Sequence, residues 1–389
     1  MPDRPGARGP EAPCPTSVAS TCSFPRLQGA GCYFAGTGLQ AQARSAVRFR
    51  FPWLPPGEPG PSLARKRGAL MTTADHDEPR TSGAGQRWPA LSYGEWRLTC
   101  DTLHAHTQLL GKLATRLAPP EPQLQHAALR LTARGWETAP LPAPDRSGAL
   151  VALLDLRTHE AVIEHSDGRV RRVPLTPHRS VGDVATAVLG AVEGLVGPMK
   201  LNLTPQEVPW TAPLDEDDMH HTYEPAQVAT YFSAATRAAL VLAELRAPYR
   251  GRSSPVNAWW GTFDLAIALY SGEPAEAPTT NFIMRNSANA QQIEIGWWPG
   301  DNRHPQAAFF GFAVPAPSSF ATGALLPPAA HWDPGLGEYI LEWDDVIGNP
   351  EPHQASVQFG RSLIAHACMV CDWGPVLSAS ARGELAPLS

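Results

Sequence analysis

The densest set of ionisable side chains in the chain is Asp215-Glu216-Asp217-Asp218-Met219-His220-His221, with Glu224 just beyond. Carboxylates beside imidazoles can hold a divalent cation, or pair a general base with an acid that orients it. On that basis Asp217 and His220 are catalytic candidates. The same string also fits the water-facing flank ahead of a helix, where negative charge favours the positive end of the helix dipole. Its spacing follows none of the metal-ligand motifs, so no metal is assigned to it and any cofactor stays unknown.

Two further sets have spacings that carry meaning. Arg97, Asp101, His104, Gln108 and Lys112 recur at steps of three and four, which lines one side of a helix. The stripe is either the polar wall of a ligand cleft, with Lys112 as an anion contact, or the water-facing side of an amphipathic helix. Asn257, Trp259, Trp260, Phe263 and Asp264 form an aromatic strand with one acid. Strict alternation puts Asn257, Trp259, Gly261 and Phe263 on one face and Trp260, Thr262 and Asp264 on the other. Large aromatics on both faces predict a central strand covered on both sides. Asp264 would then be buried and need a partner. Arg134 or Arg285 is the expected one, and Asp264 is either half of a structural ion pair or a site acid. Trp297, Trp298, Phe309, Phe310 and Phe312 add aromatic surface, most of it core. A pocket lined by Trp would suit a planar or sugar-like ligand.

The elements that must position these residues follow from periodicity. Trp96, Cys100, Leu103, Thr107, Leu110, Ala114 and Leu117 predict an amphipathic helix from about Tyr93, ended by Pro119-Pro120. Strands are expected near 126–134, 149–156, 160–165 and 169–175, the last two joined by a tight turn at Ser166-Asp167-Gly168. Ser180 caps a helix to about Val196 that Gly197-Pro198 closes. A short strand near 199–203 precedes the Pro-rich stretch 205–213. The second half repeats the order: a helix from Glu224-Pro225 to about Leu245, strands near 256–270, 291–298, 307–314 and 338–343, and a helix over 353–372. No helix separates successive strands within a half. The expected fold is therefore α+β, with mostly antiparallel sheets and helices packed on one face, in two similar helix–four-strand–helix halves over 88–213 and 214–373. Residues 374–389 read as a flexible tail.

Composition sets the outer limits. An apolar share of 43% over 389 residues supports a sizeable core and excludes a wholly disordered chain. No run of about eighteen apolar residues exists, so no membrane span is expected. A net charge of −6 argues against nucleic acid as a partner. The first 70 residues differ from the rest: they hold nine Lys/Arg against three Asp/Glu, and 20 of the 70 are Pro or Gly. Such a segment cannot offset its own ordering entropy, so residues 1–87 read as a disordered leader, or as sequence translated upstream of a true start at Met71. Cys14, Cys22 and Cys32 fall in it. Cys100, Cys368 and Cys371 remain, too few for a disulfide framework, which points to a reducing, cytoplasmic setting. Cys368 and Cys371 share a helix face with Ile364, where core packing explains them better than redox or zinc chemistry. No nucleophile elbow, P-loop or His-Glu-x-x-His motif is present.

Several ordered segments resemble a bacterial family catalogued as a domain of unknown function, number 5996, common in actinobacteria. They are Trp88-Pro-Ala-Leu-Ser-Tyr-Gly-Glu-Trp96, Thr107-Gln-Leu-Leu-Gly-Lys112, Thr132-Ala-Arg-Gly135, Asp215-Glu-Asp217 with His220 and Tyr223, Ser254-Pro-Val256, Trp260-Gly-Thr-Phe-Asp-Leu265, Ser271-Gly272 and Trp298-Pro-Gly300. The resemblance covers about residues 88–372 and implies no particular reaction. It does mark departures. The family pattern has a His where this chain has Asn257, and an acid, a His and a second acid where it has Asn286, Ala290 and Gln291. A carboxamide cannot take a proton or supply charge as a carboxylate does. The leading expectation is thus a small-molecule-binding or catalytically degenerate pocket protein, its cleft between the helix stripe and the Trp-rich strand. Its ligand contacts would be His104, Gln108, Lys112, Arg134, Asn257, Trp260 and Arg285. The alternatives are a metal-assisted hydrolase or other acid/base enzyme using Asp215, Asp217, His220 and Asp264, and a protein-interaction scaffold. Oligomeric state is not legible.

Overall fold

The structure, a computed structural model, describes residues 87–384; the expected leader up to residue 86 lies outside them. The first half opens with α1 (Tyr93–Leu117), whose three-four apolar spacing buries Trp96, Cys100, Leu103 and Leu110, and which ends two residues before Pro119. A 3-10 turn over Pro122–Ala127 follows. Then come β1 (Arg130–Leu131), β2 (Gly135–Glu137), β3 (Leu141–Pro142), β4 (Ala149–Asp155), β5 (Glu160–His165) and β6 (Val170–Pro174). They form an antiparallel sheet in the order β1-β2-β4-β5-β6, with β3 also paired to β4. In α2 (Val181–Val196) the Ser180 side chain accepts from the Asp183 N–H, and Gly197 closes the helix with a positive φ of 82°.

The second half runs α3 (Pro225–Arg246), β7 (Asn257–Trp259), β8 (Asp264–Pro274), α4 (Phe282–Ser287), β9 (Ala290–Trp298) and β10 (Ala308–Val314). It continues with β11 (His331–Asp333), β12 (Glu338–Glu342), α5 (Trp343–Gly348), α6 (Pro352–Val370) and α7 (Pro375–Ala381). Its sheet is again antiparallel, in the order β11-β12-β10-β9-β8-β7. The fold is α+β. Helices α1 and α2 pack on the first sheet, and α3 and α6 on the second. Each half carries six strands rather than four, because two- and three-residue pairings such as β1, β3 and β11 are too short to show a period.

Three expectations are corrected. No strand forms near 199–203, where the chain runs irregularly into the Pro-rich stretch. The single strand expected over 256–270 is two strands, β7 and β8, folded back on each other. The start of the expected tail forms α7, which packs against α6.

The two sheets meet at a paired bridge between Leu129 and Ala258 and through one aromatic stack. Phe263 lies 5.0 Å from His104 of α1, 5.2 Å from Trp136 of β2 and 5.1 Å from Tyr231 of α3 by ring centroids. Trp136 donates Nε1–H to the Tyr231 hydroxyl at 3.1 Å, so the stack keeps its polar tips paired. Helix α3 is long and apolar enough, by composition, to cross a membrane, yet its Val228, Tyr231, Ala235 and Leu242 side is buried within the fold. It is a core helix of the second half.

Candidate functional site

Alternation divides the second sheet into two unlike faces. Leu265, Ile267, Ile293, Ile295, Trp297 and Phe309 are 0–1% exposed and share the face on which α3 and α6 pack. The opposite face carries Asp264 on β8, Glu294 and Trp298 on β9, Phe310 and Phe312 on β10, and Glu338 on β12; in register, Phe312 stands across from Glu294. No long helix covers it. Helix α4, the loop residue Glu207, the Asp301–Arg303 turn and the β11–β12 hairpin rise around it instead. They border a half-open cavity of about 470 Å³.

The β7–β8 hairpin supplies one end of this cavity. Trp259 pairs with Asp264 across the hairpin, so both line the cavity. An unbroken strand would have put them on opposite faces. The reversal is made by residues 260–263, where Phe263 takes a positive φ of 61° and its N–H bonds the Trp259 carbonyl. A side chain other than glycine is strained in that region, and the aromatic stack around Phe263 holds it there.

Glu207 reaches the cavity because α1 grips the loop that bears it. Gln108 receives the Gln206 N–H and donates back to the Gln206 carbonyl, both at 2.8 Å. Lys112 donates Nζ–H to the Thr204 carbonyl at 2.5 Å and lies over the Trp260 ring. His104 places Nε2 at 3.0 and 3.1 Å from the Trp260 and Gly261 carbonyls. Arg97 at the start of the stripe is exposed and pairs with Asp101 at 3.5 Å, whereas His104, Gln108 and Lys112 face neither water nor an open cleft. These three are sealed against the 204–207 loop and the 260–263 turn, and their role here is to position both. Burial lowers His104 to about 4, against the two carbonyl contacts, and lowers Lys112 to about 8. Glu207 itself has a positive φ of 59° and accepts from the Met284 N–H. A Cβ on Gly261 would stand 2.3 Å from Ile283 Cδ1 and 2.6 Å from Glu207 Oε2. Gly261→Ala is therefore expected to push α4 and Glu207 apart and cost about 1–3 kcal/mol. The urea midpoint measures the cost, and the near-ultraviolet signal of Trp259 reports the movement.

The cavity's charges are unbalanced. Burial pushes Asp264 up to about 7, against the Thr262 hydroxyl that donates to it and with the Glu207 charge adding to the rise. Burial, with the Asp264 charge next, raises Glu338 to about 7 and holds Glu294 well above the carboxylate range. Burial also raises Glu207. No Lys, Arg or His among the described residues pairs with any of these four acids. Arg134, an expected partner of Asp264, pairs instead with Glu137 and Glu164 on the first sheet. Arg285, the other, is exposed on α4.

The remaining sequence candidates lie elsewhere. Trp260 is buried against α1, with its Nε1–H on the Ala127 carbonyl at 3.0 Å. Asn257 is 1% exposed, donates to Gln125 Oε1 and accepts from Arg130. His220 Nδ1 sits 2.7 Å from Asp217 Oδ2, and the His220 ring packs on Trp210 at 4.4 Å. Against the effect of burial, hydrogen bonds from the His220 side chain and backbone hold the Asp217 carboxyl below its ordinary range. Asp217 also accepts the Met219 N–H, and its carbonyl takes the Gly182 N–H of α2. The acidic string thus fastens a loop to α2. Among the described residues, no three His, Cys, Asp or Glu are placed to hold a metal ion. The departures Asn257, Asn286, Ala290 and Gln291 do not line the cavity, so they take no acid from it. Glu207, Glu294 and Glu338 escaped sequence reasoning; Glu294, between Ile293 and Ile295, reads as part of a solvated outer face, and Glu338 stands beside the turn residue Gly337.

No curated protein and no solved structure matches the chain. A family model matches residues 88–378, spanning both sheets, every cavity-lining residue and the α1 stripe. The chain belongs to the family of unknown function DUF5996.

Proposed function

We propose that the chain is a cytoplasmic small-molecule-binding protein whose ligand occupies the cavity on the helix-free face of the second sheet. The observation that carries this is the joint lining of one half-open cavity by Trp259, Trp298, Phe310 and Phe312 with Asp264, Glu294 and Glu338. Ligand sites combine apolar and aromatic walls with a few convergent polar groups, in volumes of about 300–1,000 Å³. The free thiols of Cys100, Cys368 and Cys371 support the reducing location. Among the expected contacts, Gln108 and Lys112 act by fixing the loop that carries Glu207, and His104 by holding the 260–263 turn.

The test is the melting temperature of the full chain with and without the small-molecule fraction of a bacterial extract. A ligand at a hundred times its Kd adds roughly 2.7 kcal/mol, a rise of several degrees. The rise is expected in the wild type and not in Trp298→Ala. No rise, or an equal rise in the variant, would refute the proposal.

A second reading, an acid/base enzyme, is favoured by the same Asp264. A carboxyl raised to about 7 can give or take a proton near neutral pH. The Asp217–His220 pair also has a carboxylate orienting an imidazole, but it stands outside the cavity lining. Conversion of the bound molecule by wild-type protein, abolished by Asp264→Asn, would favour catalysis over binding.

A further inference from the structure

We infer that the cavity's ligand is an organic ammonium ion, its charged head among Asp264, Glu294 and Glu338 and its apolar body against Trp298, Phe310 and Phe312. This rests on the binding role proposed above and names the ligand's class.

The first support is the hydrogen-bonding capacity left over once internal partners are paired. Arg303 is the one basic side chain lining the cavity, and it is taken: its Nε and Nη2 lie 3.0 and 2.8 Å from Asp301 Oδ2. Asp301 also accepts the Arg303 and His304 N–H groups. Asp333 is likewise closed, accepting the Gly335 and Leu336 N–H groups in the β11–β12 turn. The Thr262 hydroxyl already donates to Asp264. What remains open is acceptor capacity. Asp264, only 5% exposed, faces the cavity with no cation beside it. Glu294 accepts the Gln292 Nε2–H on its Oε2 at 2.9 Å, and no cation among the described residues pairs with it. A cavity rich in unpaired acceptors calls for a ligand rich in donors, and an ammonium group carries up to three.

The walls supply the second support. Aromatic faces attract cations through the ring quadrupole, and Trp298, Phe310 and Phe312 flank the acids within the same register. Trp298 stands edge-on to Phe310 at 5.2 Å, while Phe310 and Phe312 are parallel at 6.3 Å. A compact metal ion would find no third ligand, since the described residues hold no metal-competent triad. An organic cation fits both the acids and the rings.

Binding must then exchange a proton. With the cavity empty, Asp264 and Glu338 hold their protons to about pH 7. The groups that face them are Glu207 from the loop, Glu294 from β9, Asp333 from the hairpin and Arg303 from the turn. Farther along, Tyr270 of β8 feels Glu294 and carries Arg252 against its ring, and His304 is bound to Glu342. The Arg303 charge partly offsets the rise of Glu338, but no cation acts on Asp264 or Glu294. Entry of an ammonium ion favours their ionised forms, so a carboxyl proton leaves to solvent as the cation enters. Affinity should rise from pH 5.5 to pH 8.

The experiment compares three isosteric probes on the full chain by calorimetric titration: phenethylammonium, 2-phenylethanol and phenylacetate. The expected result is that the ammonium ion binds at least tenfold tighter than the alcohol at pH 8, with phenylacetate weakest. The preference should fall severalfold at pH 5.5, where the probe is still charged, and shrink toward unity in Asp264→Asn. Proton release on binding, seen as a dependence of the heat on buffer ionisation, is expected only for the ammonium probe. Equal or tighter binding of the alcohol or the carboxylate would overturn the ammonium assignment and leave the pocket standing. Binding of none of the three would count against the pocket itself.

Discussion

Asp264→Asn is expected to make the protein more stable above pH 7 while abolishing selective ligand binding. A carboxyl whose ordinary value of 3.8 is raised to about 7 in the folded state binds its proton more tightly folded than unfolded. Stability associated with it is whole below about pH 4 and is lost as pH rises toward 7. The loss is roughly 1.4 kcal/mol per pH unit in that window, or about 4 kcal/mol by pH 8. Asparagine keeps the shape and the Thr262 contact but cannot ionise. It also removes a charge that raises Glu294 and Glu338. The variant should therefore match the wild type near pH 4 and exceed it by about 2 kcal/mol or more at pH 8, roughly 5 °C in melting temperature. Thermal melts at half-unit pH steps measure this. A variant less stable than wild type at pH 8 would show that the carboxylate is favourably paired and that the charge imbalance described above is wrong. An acid kept at such a cost to the empty protein is the signature of a site built for something other than stability.

The second large effect lies on the other side of the hairpin. A Cβ on Gly111 would stand 2.1 Å from the Trp260 ring, and that ring cannot move freely. It is 1% exposed, hydrogen-bonded to the Ala127 carbonyl and covered by Lys112. Gly111→Ala therefore forces α1 away from the 260–263 turn. The helix gains up to about 1 kcal/mol in propensity, but overpacking of a closed core costs more, so a net loss of about 3 kcal/mol is expected in urea unfolding. Gly190 is the control: it lies in α2 with nothing within 4 Å of its Cβ direction, and Gly190→Ala should stabilise by up to about 1 kcal/mol. Because Trp260 and the 204–207 loop share the α1 stripe, Gly111→Ala should also weaken ligand binding. Loss of stability with cavity affinity intact would separate the stripe from the site.

What the sequence made legible divides by physical range. Helices α1, α2, α3 and α6 were visible because three-four spacing and their stop signals are local. The β5–β6 hairpin was visible because Ser166-Asp167-Gly168 sets its own turn. The β7–β8 reversal was hidden, since its turn places Phe263 at a positive φ that only the surrounding stack sustains. That one unseen turn reversed the expected faces of Trp259 and Asp264. Glu294 and Glu338 were invisible as site residues for a related reason. Glu294 between two isoleucines signals an outer face, Glu338 after Gly337 reads as the edge of a turn, and nothing local says that α4 and three loops will rise around them. The stripe Gln108 and Lys112 stood out correctly as unusual, but its partners are main-chain carbonyls some ninety residues away.

The central claim is that this half-open, acid- and aromatic-lined cavity holds one small molecule. The most direct measurement is a native mass spectrum of the full chain taken straight from extract near pH 8. A single adduct of metabolite size at one per chain is predicted, lost from Asp264→Asn and from Trp298→Ala while both variants remain folded. A spectrum showing only the bare chain, or an adduct that both variants retain, would contradict it.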